Sequence, residues 1–191
     1  ALAGEPGTAL AIRNHDWAAT LVLADVIAED SNAMDLAGVI AAWATAANGQ
    51  MDAGISQLAD TGRLIAGDNA TLPAHVQLNI MLMAEYLGLD DEAKQRSTEL
   101  RSTDLPAGMA IQLAGFLVRN GELQDARALL DERLSQQFNH RAVMDSLIAA
   151  PGRGTDINTL IANNIIEVAL ASQSEDGRRS LSARLRLALF I

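Results

Sequence analysis

Apolar residues recur at helical spacing along almost the whole chain, and the alternation that indicates a half-buried strand is nearly absent. Gly, Pro, Asn, Asp and Ser divide the apolar runs into segments of helix length. The pattern predicts nine helices before residue 150, at about 7–13, 17–28, 33–47, 52–65, 74–87, 90–101, 107–119, 123–137 and 140–149. Thr155 is expected to cap a tenth helix that reaches Ser172, and Ser180 an eleventh. The chain is therefore predicted to be all-α.

Four of the predicted turns occupy equivalent hinge points, spaced 34, 39 and 33 residues apart: His15, Gly49, Gly88 and Gly121. The long gap contains the loop GDNATLP, where an insertion of about five residues explains the shift in register. Small residues stand five positions after the hinges, at Thr20, Gly54, Ala93 and Ala126. Because the two helices of a hairpin cross closest near their turn, small side chains there are expected to let them pack together.

The segment QLAGFLVRNGELQDARALLDERL resembles the tetratricopeptide repeat family. The positions that match its alternation of large, small and turn residues are Leu113, Ala114, Leu117, Gly121, Ala126 and Leu130. Residues 88–100 form a second match, WATAANGQMDAGISQL is looser, and the first unit has His15 in place of Gly. The resemblance implies about four antiparallel helix-turn-helix pairs in residues 1–138, stacked into a right-handed superhelix. A generic α-solenoid or helical bundle is the alternative. Residues 139–191 either continue the superhelix irregularly or begin another module.

Composition narrows the choice of partners. The 191 residues are 49% hydrophobic and carry a formal net charge of -10, so nucleic acid and anionic lipid surfaces are unfavourable partners. The basic cluster formed by Arg178, Arg179, Arg184 and Arg186 is read as a solvated helix face, with a docking surface for an acidic partner as the alternative. No apolar run is long enough to predict a membrane span. The absence of Cys does not decide between the cytoplasm and the periplasm. The sequence stops inside an apolar helical run, which suggests a piece of a longer protein.

Residues with catalytic potential are scattered. His15, His75 and His140 lie far apart, and no nucleophile, metal-binding or phosphate-binding motif is present. The segment PGRGTD lacks the Lys and the preceding strand of a phosphate loop. Three acids at residues 90–92 are explained by the positive end of a helix dipole. The sequence therefore predicts no catalytic, cofactor or metal site, and no enzyme activity in this segment.

The resemblance also implies that the first helix of each pair lines a concave groove. Counting back from the hinges, the groove is predicted to contain Leu36, Val39, Trp43, His75, Leu78, Leu82, Glu85, Ile111, Gly115 and Val118. The set is mostly apolar and lacks the Lys and Asn cluster with which family members hold a C-terminal carboxylate. Either a protein or peptide partner fills such a groove by apolar contact, or another segment of the parent protein does.

The function that this sequence suggests is a helical-repeat scaffold that binds a protein through its concave surface. Two alternatives stay open. One is a non-catalytic superhelical region of a larger enzyme, such as an envelope glycan-processing or glycosyl-transferring protein. The other is an oligomerisation module. The oligomeric state is not predicted.

Overall fold

The computed structural model describes residues 5–30, 33–66, 72–134, 139–149, 152 and 156–171. These residues form ten α-helices and no strand, which confirms the all-α class. The helices are α1 Glu5–Arg13, α2 Trp17–Ala28, α3 Met34–Ala47, α4 Met51–Ala66, α5 Ala74–Tyr86, α6 Asp90–Arg101, α7 Ala107–Arg119, α8 Leu123–Arg133, α9 His140–Ala149 and α10 Ile157–Ala171.

Most helix boundaries match the prediction closely, and α8 is the main difference. It was predicted to reach residue 137, but Leu134 leaves the helix with extended backbone angles (φ -87, ψ 132) and is buried in the core. Residues 135–138 lie outside the described residues. The predicted cap at Thr155, the eleventh helix with its cap Ser180, and the C-terminal arginine cluster lie outside the described residues.

The four predicted hinges share one turn geometry. At each of them the N–H of the hinge residue donates to the carbonyl three residues back, and the next N–H donates to the carbonyl five residues before it. This pair of hydrogen bonds defines the Schellman motif, which requires a left-handed residue after the helix. The hinge φ angles are +56° at His15, +90° at Gly49, +74° at Gly88 and +80° at Gly121, and no other described residue has a positive φ. The regular spacing in the sequence therefore corresponds to four equivalent turns.

The small residues beyond the hinges are all buried. Gly54 shows why: a Cβ atom there would lie 2.7 Å from both the Ala42 carbonyl oxygen and the Ala46 Cβ. Thr20 is accommodated because its buried hydroxyl donates to the Asp16 carbonyl at 2.8 Å. At the α3–α4 hairpin this confirms that the missing side chain permits the close approach of the two helices.

The helices contact one another mainly in chain order. Each of the pairs α1–α2, α3–α4, α5–α6 and α7–α8 packs together, and α2–α3 and α4–α5 join successive pairs. The third and fourth pairs meet through α5 and α7 and through ion pairs of Arg101 with Glu122 and Asp125. One continuous cluster of Ala, Leu, Ile, Val and Met side chains forms the core, with few aromatic residues.

The last two helices follow different paths. The short helix α9 packs against α7 and α8, whereas α10 packs against α3 and α5. Asp156 begins α10 as an N-cap, because its carboxylate accepts the Thr159 N–H at 3.0 Å. The Thr159 hydroxyl also donates to this carboxylate, and it acts together with the N–H to lower the pKa of the Asp156 carboxyl below its usual value. The chain thus returns from its C-terminal end to helices near its middle.

Candidate functional site

The structure places the nine side chains of the predicted groove on α3, α5 and α7. Seven of them are buried: Leu36, Val39, Trp43, His75, Leu78, Leu82 and Val118. Glu85 and Ile111 are half-buried, and Gly115 is buried. In this conformation the buried side chains make their contacts within the chain. Partner binding at these positions stays a prediction.

Helix α10 lies across the two helices that carry most of the predicted groove. It packs against both α3 and α5. Its buried side chains Ile157, Leu160, Ile161 and Ile165 belong to the same core cluster as the groove residues. The spacing of these four residues, i, i+3, i+4 and i+8, forms one apolar stripe on the helix. We call the α3–α5 face that receives this stripe the central groove.

Trp43 and Tyr86 join the two sides of the central groove. Their rings meet edge to face, with centroids 6.3 Å apart and planes at 66°. Trp43 is fully buried, and Tyr86 remains 43% exposed. Sequence reasoning missed Tyr86, although its position eleven residues after His75 puts both on one side of α5.

Several buried polar atoms occur on the helices that meet here. Asn79 donates to the His75 carbonyl at 2.8 Å, but its own side-chain oxygen has no partner in the described part of the chain. The same holds for the Trp43 indole nitrogen and for the Asn158 side-chain oxygen of α10. A buried polar group without a hydrogen bond costs about 1–3 kcal/mol. Each of these three atoms is therefore a local cost to stability in the folded chain.

His75, at the start of α5, is a buried titratable group of this region. Burial lowers the pKa of His75 below its usual value of 6.5, and attraction to Asp35 opposes that shift in part. The folded protein therefore holds His75 neutral at a pH where the unfolded chain has begun to bind a proton.

Acidification should consequently destabilise the protein through His75. Its stabilising effect is complete above about pH 6.5, and it is lost as the pH falls from there towards the lower pKa of the folded state. As the pH is lowered, we expect the free energy of unfolding to fall more steeply in the native protein than in a His75→Gln variant. The two slopes should differ by at most about 1.4 kcal/mol per pH unit. Urea unfolding of both proteins at intervals between pH 8 and pH 5 measures the difference. Parallel pH profiles would show that His75 does not contribute.

Glu85 ties the groove to the next helix pair. Its carboxylate accepts two hydrogen bonds from Arg119 on α7, from Nε and from Nη2, both at 2.6 Å. Each side chain is about one fifth exposed. A bidentate, charge-assisted pair fixes both distance and orientation. Glu85 therefore holds α5 and α7 in register, and its predicted place in the groove coincides with a structural role.

A second concave feature lies between α8 and α9, where an open cleft encloses about 360 Å³. His140 and Asp131 approach each other within it, with the imidazole Nδ1 3.1 Å from a carboxylate oxygen. Arg127, Arg141 and Asp145 also line the cleft. The sequence offered no sign of the Asp131–His140 contact, because the two residues lie on different helices. The described lining contains no Ser, Thr or Lys for such a pair to activate as a nucleophile, so the contact is explained as one that holds α9 against α8.

Other chemistry in the described residues is limited. No three His, Asp or Glu side chains come together there as metal ligands. Within the same ranges, no helix has the length and apolarity needed to cross a membrane. Asp90, Asp91 and Glu92 stand in the first turn of α6, as the dipole argument requires, and Glu92 also pairs with Arg96.

Comparison of the chain with protein-family models, with curated proteins and with solved structures found no match. The described residues form an all-α protein in which four helix hairpins share one turn geometry. The functional argument rests on those hairpins and on the central groove.

Proposed function

We propose that this chain is a helical-repeat scaffold of the tetratricopeptide-like kind, and that it binds a protein or peptide partner through its concave surface. The observation that carries the proposal is the fourfold recurrence of one turn geometry at the spacing of helix-pair repeats. The chain-order contacts between successive hairpins also support a stacked array. Such arrays form right-handed superhelices in the family that the sequence resembles.

The proposed binding surface is the face formed by α3, α5 and α7, the first helices of their pairs. It is mostly apolar, and its central groove already accepts one apolar helix, α10. A surface that packs an aliphatic stripe favours partners that offer the same chemistry, as in other helix-in-groove complexes. Near α7 the half-buried Ile111 gives this face an accessible apolar position.

We also propose that this segment does not itself catalyse a reaction. Its ion pairs are accounted for by packing, since Arg119–Glu85 and Arg101–Glu122 each join neighbouring hairpins. A second candidate is a non-catalytic superhelical region of a larger enzyme. The packing of α10 in the central groove favours it, because a chain that fills its own groove has less surface for a separate partner.

Substitution of Ile111 tests the scaffold proposal. The native chain, an Ile111→Lys variant and a Leu64→Lys variant would each be immobilised and exposed to extract from the source organism, with captured proteins identified by mass spectrometry. Leu64 is the matched control, because it lies on a second helix and is 79% exposed. We expect one or more proteins to bind the native chain and the Leu64 variant, and binding to fall at least about tenfold in the Ile111 variant, since a buried lysine in an apolar contact is unfavourable.

Thermal unfolding of the three proteins checks that each is folded. Equal capture by all three would count against the α3–α5–α7 face as the binding surface. Specific capture by none of them would count against the scaffold function and would favour the larger-enzyme candidate.

A further inference from the structure

The junction between the third and fourth hairpins differs from the two junctions before it. Helix α2 packs along α3, and α4 packs along α5, whereas α5 and α7 approach each other closely over a shorter stretch. Helix α10 packs against α3 and α5, and no comparable contact joins it to α7 or α8 in the described residues. The fourth hairpin is therefore packed against its neighbour in the array less extensively than the first three are.

Ion pairs make up a large part of the contact at this junction. Arg101, the last residue of α6, pairs with Glu122 just before α8 and with Asp125 in its first turn, the latter at 3.0 Å. The bidentate Glu85–Arg119 pair joins α5 to α7. All of these side chains are partly exposed, and those of the Arg101 pairs are the more exposed.

Dissolved salt weakens such pairs. The Debye length shrinks from about 10 Å at 0.1 M to about 3 Å at 1 M ionic strength, and exposed pairs are screened more than buried ones. Packing of apolar side chains has no comparable electrostatic part. The third–fourth junction should therefore lose more of its stability in salt than the more extensively packed junctions before it.

The Arg101 guanidinium is only partly satisfied in the closed junction. Its Nη1 and Nη2 atoms donate to the two acids near the start of α8, but its Nε atom is buried and has no acceptor among the described residues. A buried donor without an acceptor disfavours the arrangement that buries it. Because water can reach this nitrogen once the hairpins separate, opening of the junction regains part of its cost.

We propose that α7, α8 and α9 form a unit that detaches from α5 and α6 while the first three hairpins and α10 stay folded, and that ionic strength controls how often it detaches. Helix α9 belongs to the unit because it packs against α7 and α8. The apolar core continues through the junction, so the attached state predominates. Detachment removes α7 from the face formed by α3, α5 and α7. The inference concerns the chain alone and does not depend on the proposed scaffold function.

Native-state hydrogen exchange of the native chain, at about 0.05 M and about 0.5 M NaCl, measures the detachment. A hairpin of a repeat array is stabilised by its neighbours, so a detached hairpin unfolds and its amide hydrogens exchange. We expect the opening equilibrium constant of the α7 and α8 amides to rise at least about threefold at the higher salt concentration, and that of the α3 and α4 amides to stay nearly unchanged. Exchange of α7 and α8 only together with α3 and α4 would overturn the proposal, as would an equal response of both regions to salt.

Reversal of charge at Arg119 tests whether the ion pairs control the opening. Arg119→Glu places two carboxylates against each other across the junction, and it should raise the opening constant of α7 and α8 at least about tenfold at low salt. The double variant Glu85→Arg with Arg119→Glu restores opposite charges and should recover most of that change, a coupling that a double-mutant cycle isolates. Arg63→Glu is the matched control, because Arg63 pairs with Asp60 within the single helix α4.

The control should leave exchange of α7 and α8 as it is in the native chain. An equal increase in the control, or no recovery in the double variant, would contradict the role of the ion pairs. If the Arg119→Glu variant does not fold, the salt response of the native chain and the stability of the double variant still decide the question.

Discussion

Replacing Trp43 by Ala is expected to lower the free energy of unfolding by about 3–5 kcal/mol, the usual effect of removing a large aromatic side chain from a core. Trp43 is 0% exposed and contacts Tyr86 across the central groove. Neighbouring helices can close only part of the cavity that the indole leaves. Because a domain is typically stable by about 5–15 kcal/mol, this loss is a large share of the total. Urea unfolding followed by far-ultraviolet circular dichroism measures it.

Trp17→Ala is the matched control, since these two residues are the only tryptophans in the chain. Trp17 is half-buried and stacks on the exposed ring of His15, with centroids 5.2 Å apart. We expect a loss below about 2 kcal/mol, because less apolar area leaves water when this ring packs. Each variant keeps a single tryptophan, so the emission of the Trp17 variant reports on Trp43 alone and should be blue-shifted. Equal destabilisation by the two substitutions would contradict the buried position of Trp43.

Gly54→Ala is expected to destabilise the protein by about 1–3 kcal/mol, although alanine is the better helix former by about 1 kcal/mol. The added methyl group would lie 2.7 Å from the Ala42 carbonyl oxygen and the Ala46 Cβ of the facing helix. Backbone cannot move aside as a flexible side chain can, so α3 and α4 would have to separate. Thermal and urea unfolding would show the loss as a lower melting temperature and a lower midpoint.

Gly7→Ala provides the opposite expectation at another helical glycine. A Cβ at Gly7 would meet only the Leu23 methyl groups, at 3.5 and 3.6 Å, which is ordinary van der Waals contact. The helix propensity of alanine should then dominate, and the stability should stay unchanged or rise by up to about 1 kcal/mol. If Gly54→Ala were as well tolerated as Gly7→Ala, close approach of α3 and α4 would not be the reason for the small residue.

These expectations decide how binding at the groove can be studied. Substitutions at Trp43 or Leu82 change the core, so a loss of partner binding in such variants would reflect lost stability as well as lost contact. Ile111 is a better position, because it is only half-buried at this face. The capture experiment therefore uses Ile111.

The helices and hinges could be predicted because their causes are local. A Schellman turn needs only a residue that tolerates positive φ and the carbonyls of the preceding helix turn. Glycine supplies that at three of the hinges, and His15 adopts a φ of +56° at the fourth. The small residue beyond each hinge follows from the same local geometry. The spacing of the hinges and the position of the small residue after each hinge could therefore be predicted from the sequence without knowledge of any contact.

The groove could be predicted only in part. Its residues belong to the first helices, as expected, but their exposure depends on what covers them. The aliphatic stripe of α10 was readable from residues 157–165, yet nothing in its spacing identifies α3 and α5 as its contacts rather than α9. The Asp131–His140 and Glu85–Arg119 pairs were hidden for the same reason. Each joins side chains whose distance is set by how separate helices pack.

The sequence by itself determined that this protein is built from helices and where its four equivalent turns lie, because helix periodicity and turn chemistry act over a few residues. Only the tertiary structure decided that α10 occupies the central groove and that Trp43 is a core residue. An apolar stripe shows that a helix gains free energy when that face is buried. It does not show which surface buries it, since apolar attraction has no direction. In the folded chain, helices α3 and α5 form that surface.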